Sequence, residues 1–311
     1  MNDQYINKIC EVEFNETPQK IEKKTTGICN EVYEIYLKKE SYILRMNSEK
    51  KFLYGTHAFL PIFQKLQIKT PSIVAEDYSK NKVPFCYQIL SKIKGIDLGI
   101  VIDDLTQKEL KLIAIEISRI FDKFNTFPQK DSFGEINGLG EERYKNLFEI
   151  IKNQQKTILE RNSKTGVIDK EIINILNKLI QSYKNYFLEV KPKLYYDDIN
   201  SKNVMVYQGK FSGLVDLDFL MKGDYLEAIG RIMASWYGDK HGEVYIKEVI
   251  KQQYLDEMQQ KVVKMYAVLN LIYWMSEEGI KFNSNSSGVI NWNNVRDKKE
   301  KIVGLFNEII E

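Results

Sequence analysis

Histidine and cysteine are scarce in this chain of 311 residues, which contains 2 histidines and 3 cysteines. Only His57 and His241 could act in a histidine-based triad or bind a metal through imidazole, so both kinds of mechanism have few candidates. The cysteines are odd in number, and Cys10, Cys29 and Cys86 form no C-x-x-C pair. This spacing argues against a disulfide framework or a zinc site and favours a reducing, cytoplasmic location.

The chain also lacks a strong excess of charge, because 45 Lys and Arg residues face 43 Asp and Glu residues. This balance argues against a nucleic-acid partner bound through a basic field. The most apolar segment, Met265–Met275, is too short to span a bilayer, so we expect no membrane partner. Residues 1–5 lack the basic start of a secretory signal. Without a heptad repeat or a large apolar excess, we expect a monomer.

The first part of the chain, residues 1–91, is rich in strand patterns. Glu31–Leu37 and Tyr42–Met46 are runs of β-branched and aromatic residues around a short polar turn, which predicts a hairpin. Leu53–Leu66 has apolar residues at helical spacing, although we expect Pro61 to kink or restart that helix. Two further strands are predicted before residue 91.

The remainder, residues 92–311, has mostly helical patterns. A capping box of Thr106 and Glu109 begins one amphipathic helix, and a second helix is predicted over Glu141–Leu159. A strand-like island, Lys193–Asp218, interrupts the helices. These patterns predict an α+β fold of two lobes, with a small β-rich N-terminal lobe and a large, mostly helical C-terminal lobe. Ligands favour the junction between such lobes.

Three oxygen-bearing side chains are predicted to meet within the island. Asn203 begins one strand of a hairpin and Asp216 ends the next, so antiparallel pairing brings the two together, and Asp198 lies on the loop leading in. Carboxylate and amide oxygens suit Mg²⁺ that also binds phosphates, and the third group can orient a hydroxyl and accept its proton. The alternative is that Asp198 and Asn203 make only turn and cap hydrogen bonds.

A second cluster lies near the N-terminus. Gly27 lies in a polar turn before a strand, and the next strand carries Arg45 among apolar residues. A glycine turn followed by a cation suggests a loop over phosphates with a positive charge beneath it. Each feature alone is common.

Taken in order, these motifs resemble the aminoglycoside phosphotransferase family, whose fold is similar to that of protein kinases. The resemblance covers about residues 25–236. The stretch Tyr42–Ser48 and the pair Phe133-Gly134 look most like the hygromycin B phosphotransferase branch. The motifs are, in chain order, Gly27-x-x-Asn30, Leu44-Arg45, Tyr196-Asp197-Asp198 with Asn203, Leu214-Val215-Asp216, and Gly223-Asp224 with Glu227.

The resemblance implies a role for each matching residue. Asp198 would be the catalytic residue at the acceptor hydroxyl, and Asn203 and Asp216 would bind Mg²⁺. The turn from Gly27 to Asn30 would lie over the nucleotide phosphates, Arg45 would contact them, and a hinge from Ile89 to Ser91 would meet the base through its backbone. The residues implied in binding ATP or GTP are Gly27, Cys29, Asn30, Arg45, Ile89 and Ser91.

The function that the resemblance implies is transfer of the γ-phosphate of ATP or GTP to a hydroxyl of a small molecule, foremost an aminoglycoside antibiotic. Choline, homoserine or a macrolide sugar remain alternative acceptors. A catalytically silent nucleotide-binding module and a helical scaffold without a ligand are alternatives from other classes. The presence of Asp198, Asn203 and Asp216 together favours an active enzyme.

Three positions depart from the family pattern. Tyr196 stands where the catalytic loop usually has histidine. Asp197 stands where the family has a small residue, and its charge should raise a carboxylate pKa unless a cation lies nearby. Thr56-His57 occupies the place of the helix glutamate that usually pairs with the phosphate-binding cation. The alternatives are that Arg45 has another anchor or that Glu49 substitutes for the glutamate, and arginine stays charged without either.

Overall fold

An antiparallel sheet of five strands begins the fold, in a computed structural model that describes residues 2–24, 29–282 and 287–310. Three-stranded sheets and helices make up the rest. The strands are β1 (Lys20–Lys24), β2 (Glu31–Tyr36), β3 (Ser41–Asn47), β4 (Ile73–Asp77), β5 (Cys86–Ser91), β6 (Ile96–Asp97), β7 (Gly134–Ile136), β8 (Lys193–Tyr195), β9 (Val204–Tyr207), β10 (Lys210–Leu214) and β11 (Leu220–Gly223).

Helices dominate the chain after β5. They are α1 (Asn2–Phe14), α2 (Tyr54–Lys65), α3 (Leu98–Val101), α4 (Gln107–Asn125), α5 (Leu147–Thr165), α6 (Lys170–Ser182), α7 (Lys184–Glu189), α8 (Leu226–Trp236), α9 (Lys240–Gln252), α10 (Glu257–Met275) and α11 (Trp292–Ile310). The predicted α+β class is confirmed. The predicted division at residues 91 and 92 falls where β5 ends, and stays a prediction.

The N-terminal sheet has the strand order β1-β2-β3-β5-β4. The predicted hairpin is β2 with β3, paired in register from Glu31 and Met46 to Tyr36 and Ser41. Because side chains alternate along a strand, the sheet has two different faces. One face is apolar and packs on α1, while the other carries Arg45.

Helix α2 joins the larger core of the helical region. Its Phe63 packs edge-on against Phe124 of α4 and Tyr196, with ring centroids 5.5 Å apart in both pairs. The helix is not restarted at Pro61 but runs through it to Lys65. Burial of apolar side chains such as Phe63 offsets the backbone hydrogen bond that a proline inside a helix cannot make.

One helix prediction was wrong at its start. The segment predicted as helical from Glu141 begins as a helix only at Leu147, because residues before it bridge back to the β7 region. Asn146 then caps α5, since its side chain accepts a hydrogen bond of 3.0 Å from the Glu149 amide. The helix predicted after Thr106 is α4, and both hydrogen bonds of its capping box are present.

The strands of the predicted island, β8, β9 and β10, belong to two small sheets. β9 and β10 form the predicted hairpin with β6 on its edge, and β11 lies between β7 and β8. The apolar segment Met265–Met275 lies in α10, which packs against α8 and α11. None of the helices in the described part of the chain is long and apolar enough to cross a membrane.

Candidate active site

The loop before β9 holds Asp198 in place through amide side chains. Asn203 Nδ2 donates to the Asp198 backbone oxygen at 3.0 Å and to its Oδ2 at 2.6 Å, and Asn200 Nδ2 donates to Oδ1. The Val215 amide donates to the Asn203 carbonyl at 3.0 Å, which ties the start of β9 to the end of β10. The structure therefore brings Asp198, Asn203 and Asp216 together at one end of the hairpin.

Asp216 follows β10 in the left-handed conformation, with a φ of +63°, which non-glycine residues rarely adopt. The buried Tyr196 hydroxyl fixes this turn, because it lies 3.0 Å from the Val215 carbonyl and 2.9 Å from the Asp216 carbonyl. The Asp216 side chain is half exposed. Tyr196, a departure from the family pattern, thus supports the conformation that presents the Asp216 carboxylate.

The donor set fits a hard cation such as Mg²⁺. The amide nitrogen of Asn203 is held by Asp198, which leaves its oxygen as the ligand atom, and Asp216 contributes a carboxylate. Within residues 2–24, 29–282 and 287–310, no group of three or more His, Cys, Asp or Glu side chains could hold a metal ion. An ion between Asn203 and Asp216 would thus also need oxygen atoms from a bound phosphate. Mg²⁺ is commonly bound in this way.

Burial raises the pKa of Asp198, while the Arg231 guanidinium and the hydrogen bond from Asn203 lower it in part. Arg231 of α8 binds two carboxylates, with Nη2 3.1 Å from Asp197 Oδ2 and Nε 2.7 Å from Glu227 Oε1. A cation therefore lies beside Asp197. Burial still raises the pKa of Asp197 despite this partner.

Arg45 is anchored by Asp218, and the suggestion of Glu49 was wrong. Both terminal nitrogens of Arg45 bind Asp218, with Nη1 3.1 Å from Oδ1, and Nη2 also lies 3.1 Å from Asp216 Oδ1. Burial alone would lower the pKa of Arg45, but the two carboxylates raise it above its usual value. The exposed Glu49 instead pairs with Lys51 at 2.9 Å. Glu49 is two residues beyond the end of β3, whereas Asp218 faces this strand directly.

The other residues implied in nucleotide binding lie in different settings. Gly27 is outside the described residues. Cys29 is exposed, and its carbonyl accepts a hydrogen bond of 2.9 Å from Asn47. Asn30 is buried and donates to Asp218 Oδ2 at 3.3 Å, so it joins the Arg45 cluster.

The predicted hinge residues lie in β5. Ile89 is fully buried, next to Leu44 on the face that α1 covers, so its side chain belongs to the core. Ser91 ends the strand, and its Oγ accepts a hydrogen bond of 2.8 Å from the Ser72 amide. Contact of their backbone with a nucleotide base stays a prediction.

Sequence reasoning missed the partners Asp218 and Arg231. Asp218 was visible as a second carboxylate two residues after Asp216, but its pairing with Arg45 depends on how distant segments pack. Arg231 was visible four residues after Glu227, the usual spacing of a helical ion pair.

The profile of the phosphotransferase enzyme family matches residues 22–259. The chain belongs to this family. Among curated proteins, none matches this chain by sequence. The membership confirms the resemblance inferred from the motifs.

Solved structures of family members confirm the kinase-like fold. A thermostable mutant of aminoglycoside phosphotransferase APH(4)-Ia shares 15% identity, with a TM-score of 0.74 over 97% of this chain and 99% of the other. Another mutant of that enzyme, bound to ADP and hygromycin B, has 15% identity and a TM-score of 0.72 over 97% and 98%. A mutant of aminoglycoside 2'-phosphotransferase-IIIa bound to GDP has 14% identity and a TM-score of 0.72 over 99% and 98%.

Proposed function

We propose that this member of the phosphotransferase family transfers the γ-phosphate of ATP or GTP to a hydroxyl of an aminoglycoside-type antibiotic. The observation that carries the proposal is the meeting of Asp198, Asn203 and Asp216 at one end of the β9–β10 hairpin. Phosphoryl transfer requires a base at the acceptor hydroxyl and oxygen ligands for the metal ion. Asp198 would supply the base, and Asn203 and Asp216 would supply the ligands. All three come from one chain, so a monomer suffices.

Asp198 would orient the acceptor hydroxyl and accept its proton. Asn200 and Asn203 donate to its two oxygens, so the carboxylate is held in one orientation before an acceptor binds. Positioning of this kind supplies much of the rate in phosphoryl transfer. Mg²⁺, held by the Asn203 amide oxygen and Asp216, would neutralise charge on the transferred phosphate.

Carboxylates close to Arg231 support a cationic acceptor. Burial raises the pKa of Glu135 on β7, and nearby Arg231 lowers it in part. Burial also raises the pKa of Glu277, where Arg161, Lys298, Arg231 and Lys202 act in the opposite direction. Asp197 and Glu227 bind the Arg231 guanidinium directly, and the charge of Asp198 acts on it as well. An acceptor that carries ammonium groups would favour the charged form of these buried carboxylates. If it is an aminoglycoside antibiotic, the enzyme would confer resistance.

Nucleoside diphosphate release tests the proposal. We would measure release from ATP and from GTP with Mg²⁺, using hygromycin B, other aminoglycosides, a macrolide, choline and homoserine as acceptors. Reactions without an acceptor correct for hydrolysis. We expect release that depends on an aminoglycoside and is lost in Asp216→Asn.

Two outcomes would change the assignment. Release with choline, homoserine or the macrolide alone would keep the phosphotransferase reaction and replace the acceptor. Nucleotide binding without release for any acceptor would favour the silent-module alternative.

A further inference from the structure

We infer that Asp218 takes the place of the glutamate that the family pattern has on this helix, α2. Asp218 anchors Arg45 and thereby positions Asp216 and the first turn of α2 for binding Mg²⁺ and nucleotide. The inference rests on the proposed function and assigns a positioning residue within that site. It concerns how this chain assembles the site without a glutamate on α2.

The Asp218 carboxylate accepts hydrogen bonds from three segments that are far from it in sequence. Oδ1 accepts from Arg45 Nη1 at 3.1 Å, and from Thr56 Oγ1 at 2.7 Å. Oδ2 accepts from Arg45 Nη2 and from Asn30 Nδ2 at 3.3 Å. Asp218 is only 2% exposed. A buried carboxylate is stable only when it is paired and hydrogen-bonded, and Asp218 meets both conditions.

Asp218 also caps α2 from outside the helix. Leu53 precedes the helix and has no polar side-chain atom, so it cannot bind the free amides of the first turn. The amide of Thr56, the third residue of α2, donates instead to Asp218 Oδ1 at 3.2 Å. A negative charge at this end also suits the helix dipole. The first turn of α2 is therefore attached to the segment that follows Asp216.

Gly55 permits this close approach. A Cβ atom at Gly55 would lie 1.7 Å from the backbone oxygen of Asp218, a distance at which one backbone must move. Glycine inside a helix is unfavourable in itself. Its presence at this contact indicates that the helix start is fitted to Asp218.

The Arg45 guanidinium forms a bridge between Asp216, Asp218 and Thr56. Each terminal nitrogen carries two N–H groups: Nη1 binds Thr56 Oγ1 and Asp218, and Nη2 binds Asp216 and Asp218. A phosphate that binds Nη2 would have to displace a carboxylate, and one that binds Nη1 would have to displace Asp218 or the Thr56 hydroxyl. Arg45 therefore acts foremost by holding Asp216 against Asp218. Lysine lacks the planar fork that binds two carboxylates at once, so it could not replace this bridge.

Calorimetric titration with ADP and with GDP, each with and without Mg²⁺, tests the inference and needs neither an acceptor nor transfer. We expect Asp218→Asn to weaken Mg²⁺-dependent diphosphate binding about 10- to 100-fold, the usual effect of losing a partner that orients a metal ligand. Arg45→Lys keeps a cation near the phosphates, yet we expect a loss of similar size because the bridge is broken.

A carboxylate placed on α2 instead of at position 218 tests whether diphosphate binding can be restored. Glu at position 56 in the double variant Thr56→Glu with Asp218→Asn restores an anchor on α2, and we expect it to recover part of the lost affinity. Circular dichroism and thermal melting would show whether each variant is folded. If Asp218→Asn is unfolded, Arg45→Lys decides the question.

Wild-type affinity in folded Asp218→Asn or in Arg45→Lys would overturn the inference, as would a double variant no better than Asp218→Asn. Absence of Mg²⁺-dependent binding of either diphosphate by the wild type would overturn it as well. Tight Mg²⁺-dependent binding without transfer to any acceptor would leave the inference standing, and would count against the proposed function alone.

Discussion

Two arginine-centred clusters contribute to the candidate active site, and they differ in how far apart in sequence their members lie. Arg45 on β3 binds Asp216 and Asp218, which are more than 170 positions away in sequence. Arg231 on α8 binds Glu227, four residues away on the same helix, and Asp197 of the loop. The Arg45 side chain is 6% exposed and that of Arg231 is 24% exposed.

The difference indicates a division of roles between the Arg45 cluster and the Arg231 cluster. The Arg45 cluster joins the N-terminal sheet, α2 and the segment that carries Asp216 and Asp218, so this part of the candidate site forms only when these elements pack together. The Arg231 cluster is built within the helical region and tunes the charge around Asp198. Loss of the first cluster should therefore affect folding and nucleotide binding together, while loss of the second should affect mainly the acceptor side.

The largest expected effect is that of Arg45→Met. Removing the cation leaves the buried Asp218 without its charge partner, and breaking a buried pair in this way costs about 3–5 kcal/mol. Arg231→Met should cost about 2 kcal/mol, the scale of a hydrogen bond to a charged group, because its cluster is more exposed. Urea unfolding of both variants measures the difference. An equal or larger loss in Arg231→Met would contradict the proposed division.

The next largest loss of stability is expected for Gly55→Ala. The added Cβ would meet the backbone of Asp218, and overpacking of this kind costs about 1–3 kcal/mol. Gly140→Ala is the matched control, because a Cβ at Gly140 has no atom within 4 Å in the described part of the chain. Thermal unfolding compares the two. The close contact would be disproved if both substitutions had the same small effect.

Tyr196→Phe should have the smallest effect on stability, about 1 kcal/mol, since one hydroxyl hydrogen bond is lost. The turn at Asp216 would be less firmly held, so kcat should fall more than the nucleotide KM changes. Tyr245→Phe is the control, because the buried Tyr245 hydroxyl has no hydrogen-bond partner among the described residues. Its removal should be neutral or slightly stabilising. Indistinguishable stability and kinetics in the two variants would argue against the role of Tyr196.

Much of the candidate site followed from local patterns. Two strands around a turn are enough to bring Asn203 and Asp216 together, whatever surrounds them. The partner of Arg45 was beyond such reasoning, because it depends on how the start of α2 docks against Asp218. The false helix start at Glu141 has a local cause instead, since bridges to Ile136 and Phe133 replace helical hydrogen bonds there. The sequence patterns therefore missed the contacts between distant segments that anchor Arg45, and also one short-range pairing.

The division of roles between Asp198 and Asp216 is tested most directly by measuring transfer and Mg²⁺-dependent diphosphate binding side by side in the wild type and Asp198→Asn. We expect Asp198→Asn to keep the binding and to lose about 10²- to 10⁴-fold in transfer, the usual contribution of a general base. Transfer at the wild-type rate, or loss of binding together with transfer, would contradict the catalytic role assigned to Asp198.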